Sequence, residues 1–531
     1  MDYYKLAIDN ISKFGDTDIF PYPIENALFY DKPEEVKKIL EQISGDFDNW
    51  STNYPVESIN SCIPVGITGF RWAAIVDPIW NAFLLYEVLR ISKDLETKRI
   101  APSKNCVFSY RLKLKQTTGK LFDNDLTWRK FYETARTKAS SSAYVIKLDI
   151  SDFYTRIYHH RLENALLRST SNTTSVKRIM TILNSISKNA SYGLPVGGNA
   201  ARILAETLLN SFDQVINSKK IDFCRYVDDY IIFADSKEDA FKKLNWCAEF
   251  LLRNEGLTLQ KNKTQILTSS EFISQSTVIL EGEDDKEGKE RSAFMRIHIK
   301  YDPYSITAEQ DYKELKRKLS DFDIVPLIKT EIRKSRIHHA FGKQLLNAVN
   351  ILEDEPLNLA FKTIASNLDS FYPIYPSVMH LANRKLLDCD EETIDFFLDT
   401  LAELVFTDSY IVQTDNNSSY TARVLSLKNR ESSIQAIDHI ASASRSALVK
   451  MNCIYGMTNL SNSFWLSDLK PQFSTFTSWE RRAFIAASYY LNDEGKHWRD
   501  KIEPQLSEFE TLLKRWIGSK NPSASNWKLP L

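Results

Sequence analysis

Two periodicities alternate through the first 280 residues. Short apolar runs bounded by polar or turn residues, YVIKLDI (144–150), FCRYV (223–227), YIIFA (230–234) and TQILTS (264–269), have the length and composition of strands. Helical stretches separate them, so this half reads as α+β. In the last 240 residues the pattern is almost purely helical. Within Glu391–Phe406 the apolar Ile394, Phe397, Leu398, Leu401 and Val405 form the stripe of a helix with one buried face. Thr477-Ser-Trp-Glu480 has the spacing of a capping box, and Phe484, Ala487, Ser488 and Leu491 then keep helical period. Between the halves, EGEDDKEGKER (281–291) is too charged to pack and predicts an exposed linker. The expected organisation is an extension over 1–60, an α+β domain over 61–280, the linker 281–291, and an all-α domain of stacked helix pairs over 292–531, with no sequence repeat to mark the pairs.

Composition narrows the class. At ~150 residues per domain, 531 residues give two to four domains. The 15 glycines and 12% aromatics suit a helix-rich globular protein and exclude general disorder. Lys and Arg (68) balance Asp and Glu (69), so overall charge names no partner. The balance is uneven along the chain: residues 101–200 hold 16 basic and 6 acidic side chains, residues 1–50 hold 5 and 11. The six cysteines (Cys62, Cys106, Cys224, Cys247, Cys389, Cys453) contain no CxxC and read as reduced, buried thiols. The start MDYYKLAIDNIS lacks the basic and apolar regions of a secretory signal, and no run of ~18 apolar residues occurs, so a cytoplasmic protein without a membrane partner is expected. His159-His160 and His338-His339 are adjacent rather than i, i+4 apart and are assigned no metal.

The chemistry centres on Tyr226-Val-Asp-Asp229, between FCR and YIIFA. A strand–turn–strand hairpin would hold the two carboxylates together against their repulsion, which a divalent cation would relieve. A bare Asp-Asp dipeptide is far more often a solvated turn. Here a third carboxylate, Asp149, ends the run YVIKLD. Brought beside Asp228 and Asp229, it makes an all-oxygen site for two Mg²⁺ ions, with Mn²⁺ as a substitute, suited to nucleotidyl transfer. Tyr154, five residues on, would lie under the sugar of an incoming nucleotide and exclude a 2′-hydroxyl. Lys113, Lys115, Arg129 and Lys130, interleaved with Tyr110, Phe122, Trp128, Phe131 and Tyr132, form a candidate single-strand-binding surface. For any single lysine a merely solvated face explains the charge as well.

LDISDFY, GLPVGGNAAR (193–202), YVDD and GLTLQKNKT (256–264), in that order, resemble the successive palm motifs of reverse transcriptases over roughly residues 60–275. The resemblance implies a right-hand fingers-and-palm domain. It also implies Asp149, Asp228 and Asp229 as catalytic metal ligands, joined by the Ile150 carbonyl. Tyr154 would be the steric gate, and Val196, Gly197 and Lys263 would stand at the nucleotide, with Arg71 of GFR gripping the triphosphate. Three departures mark a branch. Pro195-Val196-Gly197 stands where templated enzymes read PQG, Val65 where they carry a lysine, and Phe272-Ile-Ser274 where the primer grip reads FLG. With IVDPIWNAFLLYE (75–87) and the helical second half, the chain resembles the abortive-infection (Abi) polymerases of bacterial phage defence. That resemblance implies DNA synthesis from dNTPs without a template, primed by a protein hydroxyl on an unassigned tyrosine, a single-stranded product attached to the protein, and a homo-oligomer. An RNA-templated reverse transcriptase and a non-catalytic binding scaffold are the alternatives.

Overall fold

YIIFA is apolar at every position because the strand it forms is covered on both faces. The computed structural model describes all residues except 16–18, 67, 282–292, 296, 298–315, 318, 320–321, 335–336, 521 and 523–526. The expected linker therefore lies outside the described residues, apart from Glu281, which ends a helix. The chain divides into two compact units. One comprises Met1–Asp18, Phe29–Ser58 and Ala74–Lys289; the other comprises Ile19–Leu28, Ile59–Ala73 and Glu290–Leu531.

Eight strands occur among the described residues: β1 (Ser58–Pro64), β2 (Phe70–Val76), β3 (Leu112–Lys115), β4 (Lys120–Phe122), β5 (Tyr144–Asp149), β6 (Phe223–Tyr226), β7 (Asp229–Ala234) and β8 (Gln265–Thr268). β1–β2 and β3–β4 are two-stranded, and the other four form an antiparallel sheet in the order β6-β7-β5-β8. All four runs marked as strands by their pattern are strands.

The helices before the linker are α1 (Tyr3–Phe14), α2 (Ile24–Asp31), α3 (Pro33–Gly45), α4 (Phe47–Asn53), α5 (Pro78–Lys98), α6 (Trp128–Ala139), α7 (Phe153–Arg156), α8 (His159–Ser169), α9 (Thr173–Ile186), α10 (Asn199–Ser218), α11 (Lys237–Phe250) and α12 (Ser269–Glu281). The segment after Asp149, which reads as one helix, is two: Gly193 and Tyr192 pair with the extended Ile157 and Tyr158, and this pairing breaks it. α5 starts where its sequence says it should, with Asp77 accepting from Ile79 N–H and Pro78 in the first turn.

Val145, Ile231 and Phe233 on one sheet face pack with Phe131 and Ala135 of α6 and Phe272 of α12 in a closed core. Tyr230 on the opposite face stacks near Phe212 of α10, which meets Trp246 and Phe250 of α11. Phe272-Ile-Ser274, matched to a primer grip, thus lies inside a core helix.

The second unit is helical over its C-terminal part. Helix Asp354–Ala365 packs on Glu391–Phe406, and that helix on Glu431–Ala443. In parallel Tyr375–Lys385 packs on Asp415–Leu425, then Ala447–Asn459, then Ser478–Ala487. Each helix thus meets the next but one, the pattern of stacked pairs. The stripe of Glu391–Phe406 is buried as its spacing requires, and Thr477 and Glu480 form the capping box. Residues Ile19–Leu28 are bound into this array by a buried Arg482 Nε–Glu25 Oε1 ion pair of 2.7 Å and a hydrogen bond from Asn416 to the Ile19 carbonyl. Among the described residues no helix is long and apolar enough to cross a membrane. All six cysteines are free. Four are buried and Cys389 is half-buried, but Cys62 is exposed because it points outward on β1, which corrects the expectation for that residue.

Candidate active site

The register of β5 on β7 places Asp149 directly opposite Asp229, and the pairing of Tyr226 with Asp229 leaves Val227 and Asp228 as a two-residue turn. Three carboxylates from two neighbouring strands therefore share one end of the sheet. Burial, then the charges of Asp228 and Asp149, push the Asp229 carboxyl up to about 7, against a smaller opposing pull from Lys263 and Lys147. Lys263 donates to Asp149 Oδ2 at 2.9 Å, and this bond raises its own ammonium pKa.

A cleft of about 220 Å³ opens here, lined by Asp149, Asp229, Lys147, Lys263, Phe131 and Tyr132 among others. Tyr132 was legible only as one aromatic in a basic stretch; burial, and secondarily Asp229, hold its phenol up at about 12. Ile150 is buried beside Leu259. The ladder bonds flanking it run from Ser151 N–H to Thr258 O and from Gln260 N–H to Asp149 O, and neither uses the Ile150 carbonyl. Among the described residues no three His, Cys, Asp or Glu side chains already stand in metal-ligand geometry, and Lys263 supplies the counter-charge at Asp149. The donor set is nonetheless that of a hard cation: carboxylates with a carbonyl at hand, one of them pushed up by burial and by neighbouring like charge.

The Asp-Asp turn is strained and braced. Val227 has φ +56°, a left-handed conformation that a β-branched residue adopts at a cost of roughly 1–3 kcal/mol. Both of its backbone groups are tied. Its N–H donates to Ser109 Oγ at 2.9 Å, and its carbonyl accepts from Arg225 Nη1 at 2.9 Å. Arg225 is fully buried, with Nε and Nη2 on Asp213 at 2.9 and 2.6 Å and Nη2 on Glu206 at 2.9 Å. Glu206 also receives Arg99 and the Ser109 hydroxyl, each at 2.5 Å, and Tyr230 donates to Asp213. Two arginines thus balance two carboxylates inside the unit. The sequence signal for this group is a single charged residue inside the apolar run FCRYV.

Other expected positions fall as follows. Tyr154, on α7, is largely enclosed, its phenol held well above the usual range first by burial and then by neighbours that include Tyr110, Glu206 and Asp228. Its carbonyl accepts from Leu194 N–H at 2.8 Å, which joins it to the GLPVGG loop. In that loop Val196 is buried, and Gly197 takes φ +111°, a conformation open to glycine. Arg71 is exposed on β2 and belongs to the second unit. Lys115 and Lys130 are exposed, whereas Lys113 pairs with Asp123 and Asp125, and Arg129 with Glu133. His159 is a buried structural residue bonded to Asn184 and the Gly193 carbonyl, and His338 caps a helix by accepting from Phe341 N–H.

Residues 88–295 match the family described as reverse transcriptase (RNA-dependent DNA polymerase). The Retron Ec83 reverse transcriptase of Escherichia coli is 29% identical over 136 residues, a match that spans 24% of this chain and 39% of that protein. Two telomerase structures from Candida tropicalis, one apo and one with the TWJ fragment of telomeric RNA, each align with 78% of this chain and with 73% and 68% of theirs. Their identities are 11% and 13%, and their TM-scores 0.31 and 0.32. Residues 88–295 are therefore similar in sequence to the reverse transcriptase domain.

Proposed function

We propose that this protein is a divalent-cation-dependent DNA polymerase that extends a protein-attached strand without copying a template, as part of anti-phage abortive infection. The observation that carries the polymerase reading is the placement of Asp149 opposite Asp229 with Asp228 in the adjoining turn, beside a cation-bearing cleft. Asp149, Asp228, Asp229 and the Ile150 carbonyl would hold Mg²⁺ or Mn²⁺. When bound, such ions activate a hydroxyl nucleophile and neutralise a departing pyrophosphate.

The chain's own residues do the rest. Lys263 holds Asp149 in an ion pair, and Tyr154 closes the space that a ribonucleotide 2′-hydroxyl would need. The exposed Lys113, Lys115, Arg129 and Lys130 neutralise phosphates of a single strand. Template independence is supported by the buried Val196, which offers no hydrogen bond where a glutamine would. The priming hydroxyl belongs to an unassigned tyrosine, and the assembly is a homo-oligomer.

The match to a retron reverse transcriptase favours a second reading, RNA-templated synthesis. Purified protein with labelled dNTPs, with and without added RNA or DNA, separates the two. Label that migrates with boiled, denatured protein and needs no template supports the first, whereas free DNA complementary to the added strand supports the second. No incorporation under either condition refutes the polymerase reading.

A further inference from the structure

α10 begins immediately after the Gly197-Gly198 pair, and Arg202 lies one turn in. Its guanidinium is positioned from two sides. Nη1 donates to Asn199 Oδ1 at 2.9 Å, and Cζ lies 5.4 Å from the centre of the Tyr110 ring, a cation–π contact. Asn199 is fixed in turn, donating to Asn10 Oδ1 at 2.8 Å, and Asn10 donates to the Gly119 carbonyl at 2.9 Å. The arginine is thus held in one orientation by residues of α1, α10 and the β3–β4 turn.

An arginine carries five N–H donors. Among the described residues Arg202 makes no other hydrogen bond or ion pair, and it is only half-buried, which leaves donors available to a ligand. Its neighbours in the same unit are different: Arg99, Arg178 and Arg225 each meet a carboxylate.

The location gives these donors a purpose. The loop leading to Arg202 is bonded to the Tyr154 carbonyl, and the charge of Arg202 is felt by the phenols of both Tyr154 and Tyr226. The influences on Asp229 come instead from Asp228, Asp149, Lys263 and Lys147. Lys263 thus acts on the carboxylates and Arg202 on the tyrosines. On the proposed reading, with the triphosphate at the carboxylates and the sugar over Tyr154, a base reaching past that ring would meet Arg202.

We infer that Arg202 hydrogen-bonds the edge of the incoming nucleobase and makes the protein, rather than a template, the source of base preference. A fork of donors matches two adjacent acceptors, which cytosine presents at O2 and N3 and guanine at O6 and N7. Adenine and thymine alternate donors with acceptors along their edges and fit it less well. This inference rests on the template-independent reading.

The test measures KM for each dNTP alone and sequences the product made from an equimolar pool, for the parent, Arg202→Ala and Arg202→Lys, with folding checked by circular dichroism. The parent is expected to over-use dC and dG. Arg202→Ala should raise KM for dCTP and dGTP about tenfold, the loss expected for a hydrogen bond to a charged group, and level the product composition. Arg202→Lys keeps the charge and loses the fork, and should shift composition the same way. An equal KM rise for all four nucleotides in Arg202→Ala, restored by lysine, would reveal a phosphate contact and overturn the inference. Untemplated product of unaltered composition would overturn it while leaving template independence standing. A parent product complementary to an added template would remove both.

Discussion

Replacing Asp229 by asparagine should stabilise the protein while removing its activity. The carboxyl is raised from 3.8 to about 7 by burial and by Asp228 and Asp149. That is roughly three pKa units, and at 1.36 kcal/mol each the ionised side chain costs the native state about 4 kcal/mol. The sign follows from linkage. Below pH 4 the group is protonated in both states and contributes nothing. Between pH 4 and 7 the unfolded chain ionises while the native site keeps its proton, so native stability falls by about 1.4 kcal/mol per pH unit. Above pH 7 the full cost is present. Asparagine has the same shape and no such slope. Urea unfolding of parent and Asp229→Asn in EDTA, from pH 5 to pH 8, should therefore show a gap that widens with pH to about 4 kcal/mol in favour of the variant. Adding Mg²⁺ should recover stability for the parent, about 2.7 kcal/mol at a hundredfold excess over its dissociation constant, and much less for the variant. Nucleotide incorporation should be lost in parallel. A stability gap independent of pH, or a variant less stable than the parent at pH 8, would refute the account of a carboxylate held against like charge.

Tyr154→Ala should admit ribonucleotides, read as a fall in the dNTP to NTP incorporation ratio; a parent that already uses both equally would show that the ring is no gate. Arg225→Gln, which strips a buried guanidinium from Asp213 and Glu206, should cost about 3–5 kcal/mol in urea unfolding, and a change below 1 kcal/mol would mean the pair is not buried as described. Replacing Lys113, Lys115, Arg129 and Lys130 together should flatten the salt dependence of single-strand binding by about 0.7 in log–log slope for each phosphate left without its cation. The Lys113 and Arg129 ion pairs are exposed and open at little cost, so an unaltered slope would return the stretch to a solvated face.

The strands were legible because each is a short apolar run between polar ends, and the pairing of Asp149 with Asp229 follows once YVIKLD and DYIIFA lie antiparallel. The helical array was legible from period alone, as Glu391–Phe406 illustrates. What the pattern could not give was anything assembled from distant segments. Arg99, Ser109, Glu206, Asp213 and Arg225 come from separate places in the chain and meet only through the packing of α5 and α10 under β6. Tyr132 reads as one of several aromatics until α6 turns it into the cleft. The break after α7 was hidden because FYTRIYHHRLENAL holds no glycine or proline to mark it, and the competing partner of Ile157 and Tyr158 lies about 35 residues later.

These long-range contacts account for why a valine can occupy the turn at all. A two-residue hairpin turn with positive φ at its first position favours glycine, asparagine or aspartate, so Val227 works against its own backbone. Its N–H and carbonyl are instead held by Ser109 and Arg225, whose own partners are Glu206 and Asp213, all fixed on buried elements. A buried arginine with two carboxylates gains little net stability over apolar packing, so energy alone is a weak reason for its presence. Its geometric effect is specific: one guanidinium fixes the carbonyl immediately before Asp228. The repulsion among Asp149, Asp228 and Asp229 would otherwise open this turn, and the network opposes that with rigid, charge-assisted bonds from below rather than with contacts inside the cleft. The cleft side of Asp149 and Asp229 is thereby left to Lys263 and to whatever the site binds.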